Sequence, residues 1–327
     1  MKASAEVRRK PLAGYGARAA LVCALGVHCA GALADQGGVA FWFSGQYASL
    51  AAVPATPGWS VAFLPYYYNG SSDTSETFQT GATVSAGLKS HAPLVIAQLG
   101  YAPDSKILGG QPYLALGWGA GGNRTSVDLS LSRLGELGRA DSIYGGTDLY
   151  PYASLAWNRG VDNWMAYVTG DVPVGAYDSR RLANLGIGHG ALDAGGGYTY
   201  FNPNTGFELS AVAGFTYNWE NASTDYRNGV DSHLDWAASK LLTEHWQAGV
   251  VGYAYYQLTA DGGSGDRVGA FKSRVASVGP ELGYLYKING APAYINLRGY
   301  KEFWAEHRVQ GYALFATISF PLGGAAR

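Results

Sequence analysis

Residues 206–220, GFELSAVAGFTYNWE, sort their side chains alternately. Phe207, Leu209, Ala211, Ala213, Phe215, Tyr217 and Trp219 fall on one side, against Glu208, Ser210, Val212, Gly214, Thr216 and Asn218 on the other. A period of two belongs to a β-strand. The run is about twice the roughly 5 to 6 residues of an ordinary globular strand, and it suits a tilted strand crossing an apolar layer, which needs about 9 to 11. Aromatic residues stand near both ends of the apolar side with small aliphatic ones between, as where rings settle at the two membrane interfaces. This predicts one stave of a transmembrane antiparallel β-barrel.

The rest of the chain agrees. Charged residues make up 14% of it, against roughly 25% in soluble domains, too few to cover a soluble surface. A lipid-facing wall needs no charge on its outer side, and the abundant Gly and Tyr are common strand and rim residues there.

Residues 1–34 read as a signal peptide. Lys2, Arg8, Arg9, Lys10 and Arg18 form a basic region, 19–33 is short and apolar, and Ala32-Leu33-Ala34 before Asp35 is an A-x-A cleavage signal. Cys23 and Cys29 both lie in the segment to be removed, so the mature chain has neither disulfides nor thiol chemistry. A lipoprotein reading of Cys29 fails, because Gly26-Val27-His28 lacks the usual Leu and small-residue run. Removal takes away five Lys/Arg and one Glu, so the net charge moves from −1 to about −5, which disfavours nucleic acid as a partner. No later run reaches the 18 or so apolar residues of a membrane helix, so any crossing is made by strands. The expected location is the bacterial outer membrane.

Four segments follow: the signal peptide, an N-terminal segment at 35–57, a barrel at 58–320 and a tail at 321–327. The second holds Phe41-Trp42-Phe43 and Tyr47 before the turn at 54–57, and is too aromatic to dangle in water. It is expected to be a short helix or a lumen plug. Strands are predicted at 58–69, 77–89, 92–101, 111–119, 123–132, 147–157, 162–172, 192–201, 206–219, 231–241, 246–258, 276–287, 293–303 and 310–320, an even fourteen, with twelve as the alternative because Gly and Pro blur the third to fifth. Long connections at 133–146, 173–191, 220–230 and 259–275 alternate with tight turns at 158–161, 202–205, 242–245 and 289–292, the polarity of an outer-membrane barrel.

If the apolar side faces lipid, then Asp148, Tyr150, Tyr152, Asp171, Asp193, Glu208, His233, Asp235, Glu281, Asn296 and Arg298 face inward, as lumen residues that are solvated or paired, or as a filter. The 175–191 loop, GAYDSRRLANLGIGHGA, carries Arg180-Arg181, an apolar trio Leu182, Leu185 and Ile187, and His189. Its arginines either capture an amphipathic or anionic molecule at the mouth, or bind lipopolysaccharide phosphates outside, or cap a surface helix.

Nothing in the sequence calls for catalysis, a cofactor or a metal. The glycines at 186, 188 and 190 lack the setting of a dinucleotide fingerprint. His233 and Asp235 share a face but stand too far apart for contact, no Ser is placed with them, and the scattered histidines have no metal-ligand spacing.

The last strand, with Tyr312, Leu314, Ala316, Ile318 and Phe320 on one side, resembles the C-terminal signal read by the barrel assembly machinery, although seven residues follow Phe320. The runs FWFSGQYASLAAVPATPGWS (41–60), WNRGVDNWMAYVTGDVPVGAYDSRRLANLGIGHGALDAGGGYTY (157–200), GFTYNWENASTDYRNGVDSHLDWAASKLL (214–242) and FKSRVASVGPELGYLY (271–286) resemble the outer-membrane proteins labelled as transporters of the meta-pathway of phenol degradation. The resemblance implies a barrel that passes hydrophobic compounds. It brings no settled catalytic or binding residues. Together these readings predict passive uptake of small hydrophobic compounds, aromatic ones foremost, with Phe41, Trp42, Phe43, Tyr47, Tyr150, Tyr152, Arg180, Arg181, His189, Tyr253 and Tyr255 as binding or gating candidates. The alternatives are a non-transporting structural or adhesive barrel and, behind it, a membrane-embedded esterase.

Overall fold

The computed structural model describes residues 40–72, 77–80, 83–131, 135–267, 269 and 272–322. The signal peptide, residues 35–39 and residues 323–327 of the tail lie outside them. The strands are β1 (Gly58–Ser71), β2 (Thr77–Thr80), β3 (Thr83–Ala86), β4 (Lys89–Ala102), β5 (Gln111–Leu131), β6 (Gly135–Arg159), β7 (Asp162–Asp171), β8 (Ala191–Asn202), β9 (Phe207–Asn218), β10 (Asp231–Leu241), β11 (Trp246–Gln257), β12 (Arg274–Ile288), β13 (Ala291–Glu306) and β14 (Gln310–Pro321). Twelve of them form a closed antiparallel barrel, because β1 pairs with both β4 and β14. Closure leaves no open sheet edge, which is what a strand-built membrane crossing requires.

Of the two strand counts, twelve holds. The predicted strand at 77–89 is the β2–β3 hairpin, whose strands pair with each other outside the wall. The predicted strands at 111–119 and 123–132 are one strand, β5, with a bulge between Trp118 and Ala120. Its glycines do not break it. A Cβ on Gly121 would stand 2.2 Å from the Pro93 carbonyl oxygen, so glycine lets β4 and β5 approach there. The expected loop at 133–146 is also mostly strand: β6 begins at Gly135 and pairs with the far half of β5, where the wall rises into a long hairpin.

The side chains sort as the alternation requires. On β9 every residue from Glu208 to Asn218 in steps of two is buried, while Phe215 is 61% exposed. Leu314 on β14 is 48% exposed, so neither residue enters a packed centre as in a soluble sandwich. The expected turn polarity is present. Asn289 and Gly290 both take positive φ in the two-residue turn between β12 and β13, the signature of a type I′ hairpin. At the tight-turn end, Trp59–Tyr101, Trp164–Tyr198 and Trp246–Tyr284 are paired across strands with ring centroids 4.6–4.9 Å apart, as in an interfacial aromatic girdle.

Candidate functional site

Residues 40–57 form neither helix nor ladder strand, yet Ala40, Phe41, Trp42 and Ala52 are buried. Buried backbone N–H groups need acceptors, and here inward-facing side chains supply them. Gly45 N–H and Tyr47 N–H reach the two Asp235 oxygens at 2.9 and 3.2 Å, Leu50 N–H reaches Glu208 Oε1 at 2.9 Å, and Ala52 N–H reaches Thr199 Oγ1 at 3.0 Å. Ser49 donates to Glu281 and meets Ser239 at 2.9 Å. Arg298 supplies the complementary donors, from Nε to the Gly45 carbonyl at 3.0 Å and from Nη2 to that of Gln46 at 2.8 Å. The segment therefore runs inside the barrel, bound to the β8–β13 side.

Trp42 stacks on the His233 ring with centroids 3.4 Å apart. Among the described residues no hydrogen bond joins His233 to Asp235 or to a serine. Its Nε2 lies 3.0 Å from Asp193 Oδ2 and 3.1 Å from the Tyr167 hydroxyl, which donates to Asp193 Oδ1 at 2.7 Å. Gly214 makes room for this cluster: a Cβ there would fall 2.2 Å from the Tyr167 hydroxyl. The cluster escaped the sequence reading because its members come from three strands, β7, β8 and β10, and only the sheet order β7-β8-β9-β10 brings them together.

On the opposite side of the segment lies a cavity of about 330 Å³. Phe41, Trp42, Phe43, Tyr47, Tyr150 and Tyr152, all candidates from the sequence, line it, as does Tyr113, which was not among them. Tyr47 and Tyr152 are joined by a 3.0 Å hydroxyl contact. A smaller cavity of about 90 Å³, reached by Leu185 and Asn184 of the 173–190 loop, shares Trp42 and Phe43 and includes Tyr253, whose hydroxyl donates to Glu302 at 2.8 Å. Tyr255 lines neither cavity and is packed among Tyr253, Val275 and their neighbours.

Arg180, Arg181 and His189 lie apart from both cavities. Asp148 anchors their loop by accepting the Gly175 N–H at 2.7 Å and the Ile187 N–H at 2.8 Å. Leu182 is buried with Leu88, Val127 and Val309. Arg181 pairs with Asp141 at 2.7 Å, and the exposed Arg180 pairs with Asp178 at 2.7 Å. The Arg180 guanidinium, with the Arg180 N–H, holds the Asp178 carboxyl well below its ordinary value. His189 is buried, with Nδ1 3.0 Å from the Gly190 carbonyl.

Twelve antiparallel strands closed around a polar interior, with apolar residues outside and tight turns at one end, define a membrane-spanning β-barrel of the outer-membrane fold type. The chain belongs to the family described as "Putative MetA-pathway of phenol degradation", whose model matches residues 65–318. Among solved structures it is similar to an outer membrane channel from Pseudomonas putida F1, with a TM-score of 0.63 at 15% identity over 81% of this chain and 96% of that one. OccK7 (OpdD) of Pseudomonas aeruginosa aligns over 81% of this chain and 100% of that one at 11% identity, with a TM-score of 0.24. No curated protein matches the chain. The matching family model names no catalytic class.

Proposed function

We propose that this protein is an outer-membrane barrel for passive uptake of small hydrophobic, chiefly aromatic, compounds. The observation that carries the reading is the aromatic cavity of about 330 Å³ left beside a lumen segment that is otherwise bonded to the wall. A ring entering it exchanges water for Phe, Trp and Tyr contacts, so uptake down a gradient needs no energy source. Residues 35–57 act as a lumen plug, with Trp42 and Phe43 as its solute contacts. Residues 1–34 direct export, the barrel assembly machinery inserts the chain, and lipid and lipopolysaccharide surround it.

Entry of an aromatic solute into proteoliposomes tests this. Trp42→Ala with Phe43→Ala should change the rate while the barrel stays folded; an unchanged rate removes the plug from the reading. The competing reading, a barrel that transports nothing and serves as a structural or adhesive element, draws on the bonding of the segment to the wall. It predicts no solute entry and no conductance.

A further inference from the structure

Charge is unevenly placed around the lumen. The charged groups that surround the segment, Asp193, Glu208, His233, Asp235, Glu281 and Arg298, stand on β8, β9, β10, β12 and β13 and are buried. The large cavity lies on the other side, walled by β1, β4–β7 and β14; Asp148 and Asp171 are buried on β6 and β7, but among the described residues none that lines the cavity is charged. Its polar groups are neutral amides and hydroxyls, such as Gln98, Gln111, Ser154 and Thr317. The two cavities share Trp42 and Phe43, the smaller one also taking in Glu302 and Arg308, and Phe43 stands edge-on to Tyr66 of β1 and to Tyr150 of β6, with centroids at 5.7 and 5.9 Å.

From this arrangement we infer that the segment stays in place during uptake, and that solute passes beside it through the crescent of the large, uncharged cavity as a neutral aromatic molecule, with Phe43 the side chain it must displace. This rests on the uptake reading above and adds the route and the charge state. A wall of amides, hydroxyls and rings can satisfy one or two hydrogen bonds of a neutral solute. It cannot replace the hydration shell of an ion, whose desolvation without a paired charge is strongly unfavourable. Moving the segment instead requires the four wall-bound N–H groups and the Arg298 contacts to break together.

The test uses benzamide and its near-isostere benzoate in proteoliposomes. Ser49 and Ser239, with Oγ atoms 2.9 Å apart, are replaced as Ser49→Cys and Ser239→Cys in a chain carrying Cys23→Ser and Cys29→Ser, so that oxidation ties the segment to β10. Benzamide should enter at least tenfold faster than benzoate, and its rate should stay within twofold on oxidation. Ala62→Trp, which fills the crescent, should lower it at least tenfold in a barrel that still shows heat-modifiable migration. A tenfold loss on oxidation that reductant reverses, or equal rates for the two solutes, overturns the inference and leaves uptake standing. No benzamide entry through the wild-type barrel overturns both.

Discussion

Arg298 and Gly45 are bound in both directions of fit: the guanidinium Nε donates to the Gly45 carbonyl at 3.0 Å, and Gly45 is the residue whose shape permits it. Gly45 has a φ of +87°, and a Cβ there would lie 2.8 Å from the Tyr300 ring. Hydrogen bonds to a charged group contribute about 1.5–3 kcal/mol each. Arg298→Leu is therefore expected to loosen residues 40–57 and raise single-channel conductance several-fold in planar bilayers. Arg298→Lys should rescue it poorly, since one ammonium does not reproduce a fork aimed at two carbonyls. Wild-type conductance in the leucine variant would show that Arg298 does not hold the segment.

Glu208 gives a second lever. It accepts from Leu50 N–H at 2.9 Å, Ser210 at 2.5 Å and Ser239 at 2.6 Å, while Ser239 already receives Gln247 Nε2 at 2.6 Å. Glu208→Gln turns one acceptor oxygen into a donor that faces a hydroxyl with little freedom to reverse. The expected loss is about 1–3 kcal/mol, read as a lower melting midpoint of the solubilised barrel, with Glu208→Ala losing more.

How much of this was legible follows from where each signal resides. The wall was readable because alternation is local: Phe215 and Thr216 declare opposite faces without reference to any other strand. The count was harder, because Gly119, Gly121 and Gly122 look like punctuation in sequence but permit close contacts inside β5. The aromatic run at 41–47 announced a segment that avoids water. Its partners did not announce themselves, since Glu208, Asp235, Glu281 and Arg298 sit on four strands, and only barrel closure aims them at one backbone. Arg180 and Arg181 drew notice as charges, but their carboxylate partners, one of them the distant Asp141, satisfy them away from the cavities.

Asp148 should control the 173–190 loop. Its two carboxylate oxygens accept the Gly175 and Ile187 N–H groups, at both ends of that loop's inner course. Asp148→Ala removes both acceptors at about 1–3 kcal/mol for each donor left unsatisfied. Hydrogen exchange at Gly175 and Ile187 should accelerate by at least tenfold while the β8–β13 amides keep wild-type protection. Unchanged exchange at both sites would mean that the other anchors, buried Leu182 and the Arg181–Asp141 pair, hold the loop without Asp148.

Asp178 and Arg180 make a pH prediction with a definite sign. The hydrogen bonds from the Arg180 side chain, and then from its N–H, favour the ionised carboxyl, so the folded-state pKa lies below the ordinary 3.8. A depressed carboxyl pKa supports the folded loop fully above the unfolded value and loses that support as pH falls through the folded value. Carbon-detected NMR of the Asp178 carboxyl should thus find its midpoint below 3.8, and Arg180→Ala should return it toward 3.8. Because the pair is exposed, high salt should also move the midpoint upward. A wild-type midpoint at the ordinary value would mean that the two side chains are not paired in solution, leaving Arg180 free at the mouth for an anionic partner.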